Sequence, residues 1–220
     1  MCGRFTLTAD PPALHAYFGI DELPPDYRPR YNIAPTQSVL AILRNARGWS
    51  AQPLVWGLVP HWSKERNSGA KRINARAETL LEKPSFREAF EHRRCLIIAD
   101  GFYEWEKAGA HSRPILIRRL DGRPFTFAGI WERWQQAPGA ALDTCAIVTT
   151  TPNPMLARIH DRMPVIISPR DREDWLSSDA DPAALMALLK PAPEEELEYF
   201  PVSAVVNSPA NDSPDCIQPV

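Results

Sequence analysis

A cysteine at position 2 is the first residue whose type and place could do chemistry. So small a second residue permits removal of the initiator methionine. Cys2 would then carry an α-amine and a thiol on adjacent carbons. A terminal amine titrates at about 7.7–8.0, so a sizeable share is neutral near pH 7, and a free thiol titrates at about 8.5. Such a 1,2-aminothiol attacks an aldehyde through nitrogen to give an imine. The sulfur then closes a thiazolidine ring, a step open to no lysine. The same residue could instead attack an amide or ester as an N-terminal nucleophile. Position alone also fits an incidental second residue.

Three further clusters carry polar groups suited to such chemistry. Ile73-Asn74-Ala75-Arg76-Ala77-Glu78 offers an amide in Asn74 that could orient an amine and a reacting oxygen together, and in Arg76 a forked donor for phosphate. A surface loop is the plain alternative. Asp100-Gly101-Phe102-Tyr103-Glu104-Trp105 breaks an apolar strand. Its period of two puts Phe102, Glu104 and Glu106 on one face and Tyr103 and Trp105 on the other. A carboxyl beside a large aromatic is a candidate for a raised pKa and proton shuttling, unless Glu104 simply faces outward. Ile159-His160-Asp161-Arg162-Met163-Pro164 sets a histidine in a loop, as a general acid or base or as a structural residue, with Asp161 or Arg162 able to fix its geometry. Trp56, Trp62, Phe102, Tyr103 and Trp105 recur near these clusters and either stack on bases or fill the core.

The elements that must position these groups are short. Proline supplies 23 of 220 residues, about twice the usual share of roughly 5%, which limits long helices and central strands. Asp10 caps a helix over Pro11–Tyr17, and Ser85–Glu91 gives a second with Phe86 and Phe90 on one face. Strands are expected at Gln37–Leu43, Gln52–Val59, Arg94–Ala99, Phe102–Glu106, Thr144–Thr150, Met163–Ile167 and Leu197–Val202. Asp121-Gly122 reads as a hairpin turn between Ile115–Arg118 and Pro124–Trp131. Short helices are expected at Pro154–Ile159, Asp171–Leu176 and Pro182–Leu189. The pattern predicts an α+β fold, one domain over 2–220 built around a curved or barrel-like, mostly antiparallel β-sheet with short helices.

Composition narrows the class. The net charge of −2 argues against a general polycation for nucleic acid, but Trp62–Arg94 is locally basic and Asp171–Glu198 mostly acidic. Cys2, Cys95, Cys145 and Cys216 include no C-x-x-C pair, so neither zinc nor any other metal is expected; Cys95 and Cys145 read as buried core thiols. No secretion signal or membrane-length apolar run is apparent, which predicts a cytoplasmic protein with free thiols and no membrane contact.

Six motifs in this order resemble the SOS response-associated peptidase family, the abasic-site processing proteins. They are Met1-Cys2-Gly3-Arg4-Phe5, Arg30-Tyr31-Asn32-Ile33-Ala34-Pro35, Trp56-Gly57-Leu58-Val59-Pro60, Asn74-Ala75-Arg76-Ala77-Glu78-Thr79, Asp100–Trp105 and Ile159–Pro164. The match runs to the terminal Ile217-Gln218-Pro219-Val220. The resemblance implies a β-rich single domain that binds single-stranded DNA and crosslinks to abasic sites. It implies Cys2 as nucleophile with Asn74, Glu104 and His160 around it, Arg4 and Arg76 on phosphates, and Trp62 stacked near the lesion. The chain departs from some members at Ser63 and Pro84, where those carry an aromatic and a basic residue. The expected chemistry is a thiazolidine crosslink with lyase and self-processing side reactions, by a monomer and without a cofactor. The alternatives are a cysteine peptidase or amidohydrolase, and a non-enzymatic single-strand binding module.

Overall fold

The computed structural model describes residues 2–20, 22–45, 48–109, 111–135 and 139–220. In chain order the elements are β1 (Phe5–Leu7), α1 (Pro11–Phe18), β2 (Arg30–Ile33), β3 (Ser38–Asn45), β4 (Gly48–Trp56), β5 (Asn74–Arg76), α2 (Pro84–His92), β6 (Arg94–Ala99), β7 (Gly101–Ala108), β8 (His111–Arg119), β9 (Phe125–Gln135), β10 (Ala141–Thr150), β11 (Met163–Pro164), β12 (Ile166–Ile167), α3 (Arg172–Leu176), α4 (Pro182–Ala187) and β13 (Leu197–Pro201).

Five strands close into a barrel, β10–β4–β3–β6–β9 and back to β10. Closure removes the free edges that an open sheet would expose. Neighbours in the ring are antiparallel except β10 and β4, where Thr144 lies opposite Val55 in parallel. Further along β10, β5 takes the place of β4, also in parallel, with Ile147 opposite Asn74 and Thr149 opposite Arg76. The chain therefore leaves the barrel wall after Trp56 and returns to the same strand at Asn74. Gly57 makes the exit at φ 134°, a conformation that side chains resist. A Cβ on Gly69 would stand 2.3 Å from the Gly57 carbonyl oxygen, so the two ends of the detour touch backbone to backbone.

The second sheet runs β13–β8–β7–β1–β2. An edge-on aromatic layer joins it to the barrel: Phe5 meets Trp56 at 5.2 Å and Phe127 at 5.7 Å, and Phe102 meets Phe127 at 6.0 Å between ring centroids. Each such pair adds roughly 0.5–1.5 kcal/mol beyond its burial. β6 is buried along its whole length because α2 and α3 cover its outer face. The buried Arg94 fastens both helices, donating to the carbonyls of Phe90, Glu91 and Trp175 and to Ser177.

The expected barrel-like, mostly antiparallel α+β fold is observed, as are α1 with Asp10 accepting from the Ala13 amide at 2.9 Å and α2 with Phe86 and Phe90 buried. Three local expectations differ. Asp121-Gly122 is no hairpin, because β8 pairs with β7 and β13 while β9 pairs with β6, β10 and β12. The turn carries the chain from one sheet to the other, and the true hairpin is β7–β8. The strand expected over Met163–Ile167 is split, since β11 pairs with β10 and β12 with β9. The helix expected at Pro154–Ile159 shrinks to a single 3-10 turn at Leu156–Arg158.

Candidate active site

Cys2 precedes β1 and is wholly buried. The β1–β7 register sets Phe5 opposite Phe102, and the Tyr103 amide donates to the Arg4 carbonyl at 2.9 Å. Carried back, this register lays Cys2 and Gly3 along Glu104 and Trp105. From the barrel side, Asn74 on β5 donates its Nδ2–H to the Cys2 carbonyl at 2.8 Å. Asn74 Oδ1 is buried without a hydrogen-bond partner, an amide oxygen still open to a proton donor in a substrate. Burial pushes the Cys2 thiol far above its ordinary range, and the nearby Glu104 carboxylate pushes it further. The resting sulfur is a protonated thiol, not a thiolate.

Glu104 lies inward on β7, 4% exposed. The period of two holds: Phe102 packs in the main core and Tyr103 in a small second cluster with Leu116, Val202, Val206 and Cys216. Burial raises the Glu104 pKa above the usual carboxylate value. A carboxyl so placed holds its proton more tightly than an exposed one and can serve as a proton shuttle.

His160 follows the 3-10 turn beyond β10. Its Nδ1 accepts from the Arg162 main-chain N–H at 3.0 Å. The Arg162 guanidinium forks onto Glu78 at 2.7 and 2.8 Å and reaches the Thr149 carbonyl at 2.6 Å. That hydrogen-bonded pairing holds the Glu78 carboxyl below its ordinary range. The structure therefore gathers Cys2, Asn74, Glu104 and His160 at the seam between barrel and second sheet.

The expected DNA contacts are placed differently from one another. Arg76 is exposed, two residues beyond Asn74 on the same strand face. Trp62 stands 56% exposed on the detour between β4 and β5. The residues beside it are both fastened to β9, His61 to Glu132 at 3.3 Å and the Ser63 carbonyl to Trp134 Nε1 at 2.7 Å. Arg4 uses Nη1 on Asn32 Oδ1 at 2.7 Å and on the Val206 carbonyl at 2.8 Å, with Trp105 5.7 Å away beneath its guanidinium. Trp56, Phe102 and Tyr103 are core residues, so they offer no face to a base. Within the basic stretch, Arg93 pairs with Glu88 and Glu132, and Arg94 and Arg72 bind main-chain carbonyls.

Asn32, Glu78 and Thr149 were not singled out by sequence reasoning. Asn32 is fully buried and donates to the carbonyls of Val206, Ser208 and Asn211, so it locks Arg4 to the C-terminal segment. Its place in Arg30–Pro35 was the available signal. Thr149 carries a buried hydroxyl without a partner, and nothing in its apolar strand marks it. Among the described residues no group of three or more His, Cys, Asp and Glu gathers as for a metal ion, and no helix is long and apolar enough to cross a membrane.

A β-barrel with a second-position cysteine set against an asparagine, a buried carboxyl and a histidine defines a protein whose site lies at the head of its chain. The SOS response associated peptidase (SRAP) family pattern matches residues 1–209, and the chain belongs to that family. It is 43% identical to abasic site processing protein YoqW of Bacillus subtilis (strain 168) over 99% of both chains. It is 32% identical to abasic site processing protein YedK of Escherichia coli (strain K12) over 100% of both. A solved structure of a protein from Bacteroides thetaiotaomicron superposes with a TM-score of 0.89 at 27% identity, covering 100% of each chain.

Proposed function

We propose that this protein is a DNA-repair protein that processes abasic sites in single-stranded DNA by capturing them as a thiazolidine through Cys2. The observation that carries the reading is the buried Cys2, held at its carbonyl by Asn74 with Glu104 and His160 alongside. The names of its full-length relatives point to the same substrate.

The chemistry follows from the charges. Loss of Met1 frees the Cys2 amine. An abasic sugar equilibrates between a closed ring and an open C1′ aldehyde, and His160 assists opening by proton transfer at the ring oxygen, which takes up the proton that the C1′ hydroxyl gives up. The neutral amine adds to C1′, positioned by Asn74. Glu104 protonates the departing hydroxyl, and water leaves as the protonated imine forms. The Cys2 thiol then gives its proton to Glu104 and its sulfur to the imine carbon. The nitrogen keeps its proton as the C=N bond becomes single, so aldehyde and aminothiol yield thiazolidine and one water. Strand cleavage by β-elimination from the same imine, and self-removal of Met1, are the lyase and peptidase side reactions of this site. Arg4 and Arg76 hold flanking phosphates and Trp62 stacks on an exposed base. A monomer suffices, because the groups named all belong to one chain. A thiol pushed upward by burial opposes the alternative of a general cysteine peptidase, which needs a thiolate at rest.

The test is a denaturing gel after mixing the processed protein with abasic single-stranded DNA. A covalent band is expected, and none from a chain whose Cys2 nitrogen is kept as an amide by an N-terminal extension. Cys2→Ser should leave only a transient imine, trapped by borohydride. A full-strength band from the extended chain would refute amine-first chemistry. A single-strand binding module alone predicts no band at all.

A further inference from the structure

Arg162 touches the site twice, through its main chain and through its side chain. Its N–H donates to His160 Nδ1 at 3.0 Å. A main-chain amide is a permanent donor, and a neutral imidazole carries only one proton. An Nδ1–H would face that amide hydrogen, so Nδ1 must offer its lone pair and the proton must sit on Nε2. Asp161 Oδ1 also lies 2.9 Å from Nδ1 and could bond it only if that nitrogen were protonated, but Asp161 is 86% exposed and free to turn to water. The Arg162 amide has no such freedom. Its guanidinium is 11% exposed and forked onto Glu78, with a third bond to the Thr149 carbonyl. Glu78 lies in the 3-10 turn directly after β5, the strand that carries Asn74. The fork therefore ties the histidine loop to the strand holding the Cys2 carbonyl. A bidentate arginine–carboxylate pair fixes orientation as well as distance.

We propose that Glu78 is a positioning residue: through Arg162 it fixes His160 as the Nε2–H tautomer, which makes His160 a hydrogen-bond donor toward the ring oxygen of the abasic sugar. This rests on the abasic-site reading above for the sugar, but the tautomer itself does not. Glu78 acts through Arg162 and touches none of the reacting atoms.

The experiment is ¹⁵N NMR of histidine-labelled protein at pH 8, with His160 assigned by loss of its signals in His160→Gln. Wild type is expected to show an unprotonated Nδ1 and a protonated Nε2 at His160. Glu78→Ala should mix the two tautomers and slow single-turnover crosslinking about tenfold, less than the 10²–10⁴-fold of losing a general acid outright. Its affinity for undamaged single-stranded DNA should stay within about twofold, since no general acid–base effect enters that binding. Glu78→Gln keeps one acceptor and should fall between, and it carries the test if the alanine variant does not fold. A wild-type Nδ1–H overturns the proposal. So does an unchanged tautomer in either variant, or a changed tautomer with an unchanged rate. If wild type forms no crosslink with abasic DNA, the functional reading fails while the tautomer remains readable by NMR.

Discussion

Replacing Glu104 by glutamine should slow the reaction and stabilise the protein, and the two effects have one cause. Burial at 4% exposure raises the carboxyl pKa. The folded chain therefore holds that proton to a higher pH than the unfolded chain does. At pH 4 both states are largely protonated and Glu104 is neutral in each. As pH rises past the ordinary glutamate value of about 4.3, the unfolded chain loses the proton first, so stability falls until the folded pKa is passed. Each unit of displacement removes about 1.4 kcal/mol. Glutamine has nearly the same shape and no proton to lose, so it escapes that loss. For a chain of this size about 1 kcal/mol moves Tm by roughly 2–4 °C. The variant should melt with wild type at pH 4 and above it at pH 8. Crosslinking, measured in single turnover on the same preparations, should fall by about 10²-fold or more because the shuttle is gone. Binding to undamaged single-stranded DNA should persist. A variant less stable than wild type at pH 8 would mean that an ion pair, not burial, governs Glu104. A wild-type rate would remove Glu104 from the chemistry.

Arg76→Ala, at an exposed position, should reduce the slope of log affinity against log salt by about one unit if Arg76 neutralises one phosphate; a net charge of −2 leaves little general attraction to imitate that change, and an unaltered slope in fluorescence-anisotropy titrations would take Arg76 off the DNA path. Asn32→Ala should remove one donor from the carbonyls of Val206, Ser208 and Asn211, leaving Val206 its bond from Arg4, and lower stability by about 1–3 kcal/mol, with faster hydrogen exchange at 203–212 as the check; unchanged exchange there would show that Asn32 does not hold the segment.

The residues of the candidate site were more legible in the sequence than the wiring that brings them together. Cys2, Asn74, Glu104 and His160 stand out because each interrupts its surroundings: a thiol at the head of the chain, an amide before a short strand, a carboxylate in an apolar run, a histidine in a loop. The alternation across Phe102–Trp105 correctly separated the two faces of β7 because both are buried against different clusters. Periodicity is silent on pairing. It could not show that β5 replaces β4 beside β10, or that Asp121-Gly122 links two sheets, since a turn signal specifies a reversal and not its partner. Charge counting failed for a related reason. Arg93 and Arg94 read as part of a basic face, yet buried carboxylate and carbonyl partners consume them, and no local pattern reveals a partner eighty residues away.

The position of the site explains its chemistry better than any one of its residues. Cys2 and Glu104 belong to the second sheet, Asn74 and the His160 loop to the barrel, and the seam between them is closed by Phe5, Trp56, Phe102 and Phe127. Such an aromatic layer is close-packed and transmits displacement rather than absorbing it. Cys2 and Glu104 are thus held to the barrel by the core, and the His160 loop by the fork of Arg162 on Glu78. In the proposed reaction the same burial favours one order of events. Dry surroundings and a nearby carboxylate hold the sulfur protonated, so the thiol is a poor first nucleophile. An amine needs only to be neutral, which near pH 7 a terminal amine partly is. Once the imine forms, its carbon is a better electrophile than the aldehyde, and Glu104 is at hand to take the thiol proton. A site that suppressed the amine and freed the sulfur would suit a peptidase; in the reaction proposed above the amine adds first and ring closure by sulfur comes second.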